Sequence, residues 1–246
     1  MSFIELEIKR QDAPHSPSYW QSFEIPVQPK MTVAQALTFL QRQPYTKTGE
    51  AVAPVVWGDF CLEESCHTCL MLINGRVSKA CEKSIESLPK SIRLEPLTKF
   101  PVQRDLSVDF SSMYHDLKIR EAWNELDSID SLSEPKDISY DQTQKLKNFS
   151  DCTFCGACLE ACPQYNPRSG FIGAAVINQI HFLNHIPVGQ HQKNRHLEHL
   201  MSPGGIASCD ASQNCVRVCP QHIDLTTSLG EVARETNKAF FKKLLG

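Results

Sequence analysis

Two cysteine runs of one design stand 57 positions apart, and they constrain this chain more than anything else in it. The upstream run, CTFCGACLEACP over residues 152–163, separates Cys152, Cys155, Cys158 and Cys162 by two, two and three residues and ends on Pro163. The downstream run, CDASQNCVRVCP over residues 209–220, keeps Cys209, Cys215, Cys219 and Pro220 but has Ser212 in the second cysteine's place. One thiol is missing from an otherwise complete pair.

The spacing is that of bacterial proteins with two iron-sulfur clusters, in which the fourth cysteine of each run ligates the other run's cluster. The chain leaves each loop in a helix that crosses over, so Cys152, Cys155, Cys158 and Cys219 are expected to hold a 4Fe-4S cluster. The partner cluster then receives Cys162, Cys209 and Cys215. A cube corner without its thiolate is readily lost, so a 3Fe-4S cluster is expected there. Ser212 could instead hold a fourth iron through its oxygen, although a neutral hydroxyl is a poorer ligand than a thiolate.

A third group comprises Cys61, Cys66 and Cys69 in CLEESCHTC, followed by Cys81. Four residues and then two is the plant-type 2Fe-2S spacing, completed by a distant fourth cysteine. Residues 70–80 supply the return, because LMLI-NG-RVSKA is two short strands about an Asn-Gly turn. The loop carries Glu64, Ser65 and His67 where glycines would let backbone N–H groups turn toward sulfide. His67 could tune the site with pH; the simpler expectation is that it points to solvent.

Eleven cysteines divide among these three sites as four, four and three with none left over. Zinc also suits two-residue cysteine spacings, but two four-cysteine zinc sites would leave three unused. An odd count argues against a disulfide framework. A net charge of -3 with mixed signs gives no electrostatic reason to expect nucleic acid. No apolar run approaches the roughly 20 residues of a membrane helix. The start, MSFIELEIKR, lacks the charged and apolar blocks of a secretory signal. A soluble chain inside the cell is expected, with any membrane contact made through a partner.

Along the chain, Ile4, Leu6 and Ile8 alternate with Phe3, Glu5 and Glu7 as in a half-buried strand. A turn at residues 14–18 leads to a second apolar segment at 23–27, which predicts a hairpin. Thr32 is placed to cap a helix whose Val33, Ala36, Leu37 and Leu40 share one face, and Pro44 ends it. A further strand is expected at 92–97. From residue 112 the pattern is helical, with a charged, serine-rich connector near 127–135 and helices at 140–149, 173–184 and 192–201. In the last of these, Leu197, Leu200 and Met201 are expected to face inward. A final helix is expected to be capped by Ser228 with Glu231 and to pack through Leu229, Val232, Ala233, Phe240 and Leu244. His181, His185, His191, His196 and His199 cluster in sequence but show no ligand-pair pattern joined to cysteine, so haem ligation by this chain is not expected.

The expected fold class is α+β. A plant-type 2Fe-2S ferredoxin domain of β-grasp form occupies residues 1–107, and an all-helical domain resembling a bacterial two-cluster ferredoxin occupies 108–246. Three one-electron centres without a nucleotide-binding glycine fingerprint or an acid-base constellation describe an electron carrier with no catalytic residues of its own.

This order of motifs, together with PVQRDLSVD at 101–109, resembles the iron-sulfur subunit of succinate dehydrogenase and fumarate reductase. The resemblance covers nearly the whole chain. It implies a flavoprotein partner with covalent FAD that oxidises succinate, and a membrane anchor, often holding haem b, that helps bind quinone. Electrons would pass from FAD through 2Fe-2S, 4Fe-4S and 3Fe-4S to quinone, as in a respiratory chain, or run in reverse in a fumarate reductase. Another membrane-linked flavoenzyme is a further alternative. The resemblance places the chain on the cytoplasmic face of the plasma membrane, held peripherally by the anchor. Ubiquinone-type members carry a tryptophan pair after the cysteine corresponding to Cys162 and a histidine after that corresponding to Cys209. Here those places read Gln164-Tyr165-Asn166-Pro167 and Asp210, closer to the menaquinone-type branch with one large anchor subunit. Pro163 and Ser212 are carried over as residues lining the quinone side of the trinuclear cluster.

Overall fold

The computed structural model describes residues 2–124 and 138–245, so the expected connector near 127–135 lies outside the described residues. The chain forms two compact units, Met1–Phe110 and Ser111–Gly246.

In the first unit, β1 (Phe3–Arg10) and β2 (Tyr19–Pro26) form an antiparallel hairpin, with Leu6 opposite Phe23 and Ile4 opposite Ile25. The second strand begins four residues earlier than its apolar segment suggested, because pairing with β1 carries on through the polar residues 21 and 22. The next element is helix α1 (Val33–Arg42). Thr32 accepts from the Gln35 N–H and the Gln35 side chain accepts from the Thr32 N–H, a reciprocal cap at the expected position. Three strands complete the sheet: β3 (Leu70–Ile73), β4 (Arg76–Lys79) and β5 (Ser91–Glu95). Asn74 and Gly75 both have positive φ, 50° and 75°, as a two-residue turn between twisted strands requires.

The sheet order is β2-β1-β5-β3-β4, with β1 and β5 parallel and the other pairs antiparallel. Leu6, Ile8, Phe23, Ile25, Leu37, Leu40, Met71, Ile92 and Leu94 are almost fully buried in one core. The short ribbon β6 (Val102–Arg104) and β7 (Ser107–Val108), which the sequence pattern did not announce, closes the unit.

The described part of the second unit is helical: α2 (Ser111–Ile119), α3 (Tyr140–Ser150), α4 (Ala157–Glu160), α5 (Gly173–His185), α6 (Lys193–Met201), α7 (Asn214–Val218) and α8 (Leu225–Leu245). Val176, Ile177 and Ile180 of α5 lie at the centre of its core with Phe149, Leu200, Ile223 and Val232. Asn178 ties α5 to the end of α3 by donating to the Phe149 carbonyl over 3.0 Å.

Three expectations about the helices need correction. Helix α8 begins at Leu225, where Asp224 accepts from the Thr227 N–H and hydroxyl, so Ser228 is a buried interior residue and not the cap. Phe240 and Leu244 are 56% and 68% exposed, because α8 runs on past the helices that cover its first half. On α6 Leu197 and Leu200 are buried as expected, but the third inward place goes not to the half-buried Met201 but to His196, whose Nδ1 is 2.6 Å from Asn184 Oδ1 and whose Nε2 is 3.2 Å from the Trp123 carbonyl.

Candidate metal centres

The loop carrying Cys61, Cys66 and Cys69 solves its shortage of glycine by placing ordinary residues in the left-handed region. Leu62, Glu64 and His67 have φ of 57°, 62° and 58°. Such a backbone turns N–H groups inward. Glu63 and Cys66 both donate to Cys61 Sγ, over 3.4 and 3.3 Å. Cys66 Sγ lies 3.1 Å from Thr68 Oγ1. Gly58 lies so close to the Thr68 carbonyl that a Cβ there would meet its oxygen at 2.1 Å, which pins the loop back on itself.

Cys69 and Cys81 enter from β3 and the end of β4, buried, with sulfurs 3.3 Å apart. Hydrogen bonds from Ser65, Cys66 and the loop N–H groups bring the Cys61 thiol down to about 6, whereas burial and then the Cys69 contact push Cys81 up to about 12. One site therefore has an N–H-rich, open side and a buried side. His67 is only 3% exposed, against the expectation that it points to solvent, because its left-handed backbone turns it into the unit near Lys79.

In the second unit the 57-residue repeat is a repeat of conformation as well as of letters. Phe154 and Gly156 have positive φ, and so do Ala211 and Gln213. Helices α4 and α7 begin at the equivalent positions 157 and 214. Ser212 thus occupies the backbone position of Cys155, and its hydroxyl and N–H both bond the Asp210 carboxylate.

The structure brings Cys152, Cys155, Cys158 and Cys219 together as the sulfurs lining a single cavity, closed by Ala175, Ile223 and Leu225. Cys162, Cys209 and Cys215 come within electrostatic reach of one another. Burial raises the Cys152 thiol to about 11 and pushes the Cys158 thiol well above its ordinary value, and neighbouring sulfurs add to both. Backbone N–H groups of residues 154, 157, 211 and 216 point at Cys152, Cys155, Cys209 and Cys215. Crowded soft donors backed by N–H groups fit a cationic iron-sulfide core.

The segments after Cys162 and Cys209 also meet. Gln164 Nε2 donates to Asp210 Oδ2 over 3.2 Å, and Pro163 is exposed beside them. Tyr165 turns inward and is buried, 3.5 Å from the Ser112 hydroxyl.

The five clustered histidines separate in space. His196 belongs to the buried polar network of α5 and α6, and His199 Nε2 is 3.3 Å from Glu121. His181 and His185 instead meet Glu231 of α8, a grouping that linear spacing concealed. Among the described residues no helix is long and apolar enough to cross a membrane.

Residues 5–115 match the 2Fe-2S iron-sulfur cluster binding domain family and residues 148–223 the 4Fe-4S dicluster domain family. The chain is 42% identical to the succinate dehydrogenase iron-sulfur subunit of Bacillus subtilis, covering 99% of this chain and 96% of that one. It is 30% identical to the fumarate reductase iron-sulfur subunit of Haemophilus influenzae, over 75% of this chain and 76% of that one. A chain of the Mycobacterium smegmatis Sdh1 complex in the apo form shares the fold, with a TM-score of 0.77 at 20% identity over 96% of both chains. With 2Fe-2S, 4Fe-4S and 3Fe-4S clusters as its cofactors, the chain belongs to the iron-sulfur subunits of succinate dehydrogenase and fumarate reductase, and is the electron-transfer subunit of a succinate dehydrogenase.

Proposed function

We propose that this chain carries electrons one at a time from the FAD of a flavoprotein subunit to quinone at a membrane anchor, with cluster ligands divided as follows. Cys61, Cys66, Cys69 and Cys81 hold 2Fe-2S; Cys152, Cys155, Cys158 and Cys219 hold 4Fe-4S; and Cys162, Cys209 and Cys215 hold 3Fe-4S. The observation that carries this division is the presence of Cys219, from the downstream run, among the three upstream cysteines around one cavity. The clusters supply reversible one-electron storage at potentials set by their surroundings. The residues around them supply the rest.

Phe60 and Leu62 stand out 83% and 47% exposed beside Cys61, an apolar rim suited to a partner protein. The hydrogen bonds to Cys61 place donors on that open side, where they stabilise added negative charge. In the second unit, Pro163, Gln164, Asp210 and Ser212 form a polar edge beside Cys162 and Cys209, which we assign to the quinone side. Hydrogen bonds from Gln164 and Ser212 hold the Asp210 carboxyl below the usual range, so this edge is anionic at neutral pH. Its lack of a tryptophan pair supports menaquinone as the acceptor.

On this reading the first domain is a β-grasp ferredoxin and the second a two-cluster ferredoxin relative, joined near residue 107. The chain sits on the cytoplasmic face of the plasma membrane, held there by an anchor that contains haem b. Isolation of the native complex tests the reading. Succinate is expected to reduce a menaquinone analogue faster than a ubiquinone analogue, and failure to reduce either would reject it. The similarity to a fumarate reductase subunit favours a second reading, the same path run toward fumarate; a faster rate from reduced quinone to fumarate than from succinate to quinone would establish it.

A further inference from the structure

Helices α5 and α8 carry a constellation that includes no cysteine. His181 and His185 lie one turn apart on α5, and Glu231 and Glu235 lie one turn apart on α8. His181 is 1% exposed, yet among the described residues neither of its ring nitrogens has a hydrogen-bond partner. Its Nε2 is 3.4 Å from Glu231 Oε2. That separation matches the edge of a tetrahedron built on metal–ligand bonds of about 2.1 Å.

His185 lies with its ring centroid 4.3 Å from that of His181. Its Nδ1 is 2.8 Å from the His181 carbonyl. Donation there leaves the Nε2 lone pair free, the arrangement typical of a metal-bound imidazole. One ligand atom from each of His181, His185 and Glu231 lies within 4.8 Å of the others. Lys193 Nζ, 2.5 Å from Glu235 Oε1, neutralises that carboxylate and leaves Glu231 as the anionic donor. Glu235 Oε1 also lies 3.9 Å from His185 Nε2, and among the described residues Glu235 Oε2 is buried without a partner.

We infer that His181, His185 and Glu231 form a binding site for a divalent transition-metal ion of the zinc type, with a fourth position open to water or to Glu235. Two neutral imidazoles and one carboxylate are donors that zinc accepts, and they are harder than the thiolates that hold the clusters. The ion would tie α8 to the helix at the centre of the second unit's core.

The test uses the full chain purified with its clusters in place, dialysed against micromolar Zn²⁺ and then against metal-free buffer. Mass spectrometry of metals is expected to find one zinc per chain at unchanged iron content. X-ray absorption at the zinc edge is expected to show nitrogen and oxygen neighbours at about 2.0–2.1 Å and no sulfur near 2.3 Å. His185→Ala and Glu231→Gln alter partly exposed side chains, and each is expected to weaken zinc binding about tenfold or more. Absence of bound zinc, zinc with sulfur neighbours, or parental zinc affinity in both variants would overturn the assignment.

Discussion

Arg10 donates from Nε to Asp105 Oδ1 over 2.7 Å at a place where the two side chains are 1% and 0% exposed. The pair joins β1 to the turn between β6 and β7, at opposite ends of the first unit's sequence. Asp105 also accepts from the N–H groups of Gln11 and Val56, and Arg10 donates to Gln21 Oε1 and the Ala53 carbonyl. The two charges are thereby hydrogen-bonded on several sides, the condition under which a buried ion pair is tolerated.

Removing one partner leaves the other charged and unpaired. Asp105→Ala is expected to destabilise the first unit by about 3–5 kcal/mol. Thermal denaturation followed through the 2Fe-2S absorbance measures this, and a midpoint within a degree or two of the parent would show that the pair contributes little.

Ser212 stands at the backbone position of Cys155, so restoring the thiol asks for little rearrangement. Ser212→Cys is expected to convert the trinuclear centre to a four-iron cluster, raising iron from about nine to about ten per chain. Electron paramagnetic resonance of the oxidised protein should then lose its 3Fe-4S signal. Persistence of that signal at parental intensity would mean that residue 212 does not face the missing corner.

Asp224 and Ser228 both lie near the start of α8, but only Asp224 caps it. Asp224→Ala is expected to cost about 1 kcal/mol, as loss of an N-cap does. Urea denaturation of the two single alanine variants separates cap from interior. Restoring stability to Asp224→Ala with Asn, but not with Leu, would mark the effect as capping.

Burial brings the His181 imidazole down to about 3, with His185 and Lys193 adding to the shift. The unfolded chain takes up this proton near pH 6.5 while the folded chain does not, so stability falls as pH drops from 6.5 toward 3 and is insensitive to this group above 6.5. By pH 5.5 the loss is about 1.4 kcal/mol. Denaturation midpoints at pH 8 and 5.5 with chelator present, for the parent and His181→Gln, measure it. Equal pH dependence in both proteins would assign the loss to other groups.

Local chemistry was legible wherever neighbours in sequence are also partners in space. The alternation of β1, the Asn-Gly turn, the Thr32 cap and the apolar face of α5 all depend on periods of two to four residues. The grouping of Cys152, Cys155 and Cys158 around one cavity was legible for the same reason, since loops with two-residue spacings are short. The α8 cap was misread because a capping-box pattern at Ser228 is chemically adequate anywhere, and only packing placed the helix start at Leu225. The glycine-poor 2Fe-2S loop gave no warning that Leu62, Glu64 and His67 would adopt left-handed backbone.

By itself the sequence singled out the eleven cysteines that we propose gather iron, because cysteine spacing is a local property and the repeat of 57 residues carries its own missing thiol. Tertiary structure alone decided that Arg10 meets Asp105 across 95 positions, that Gln164 reaches Asp210, and that two histidines of α5 face a glutamate of α8. Those contacts join elements whose separation along the chain carries no period. They form only when the burial of two apolar cores has brought the elements together.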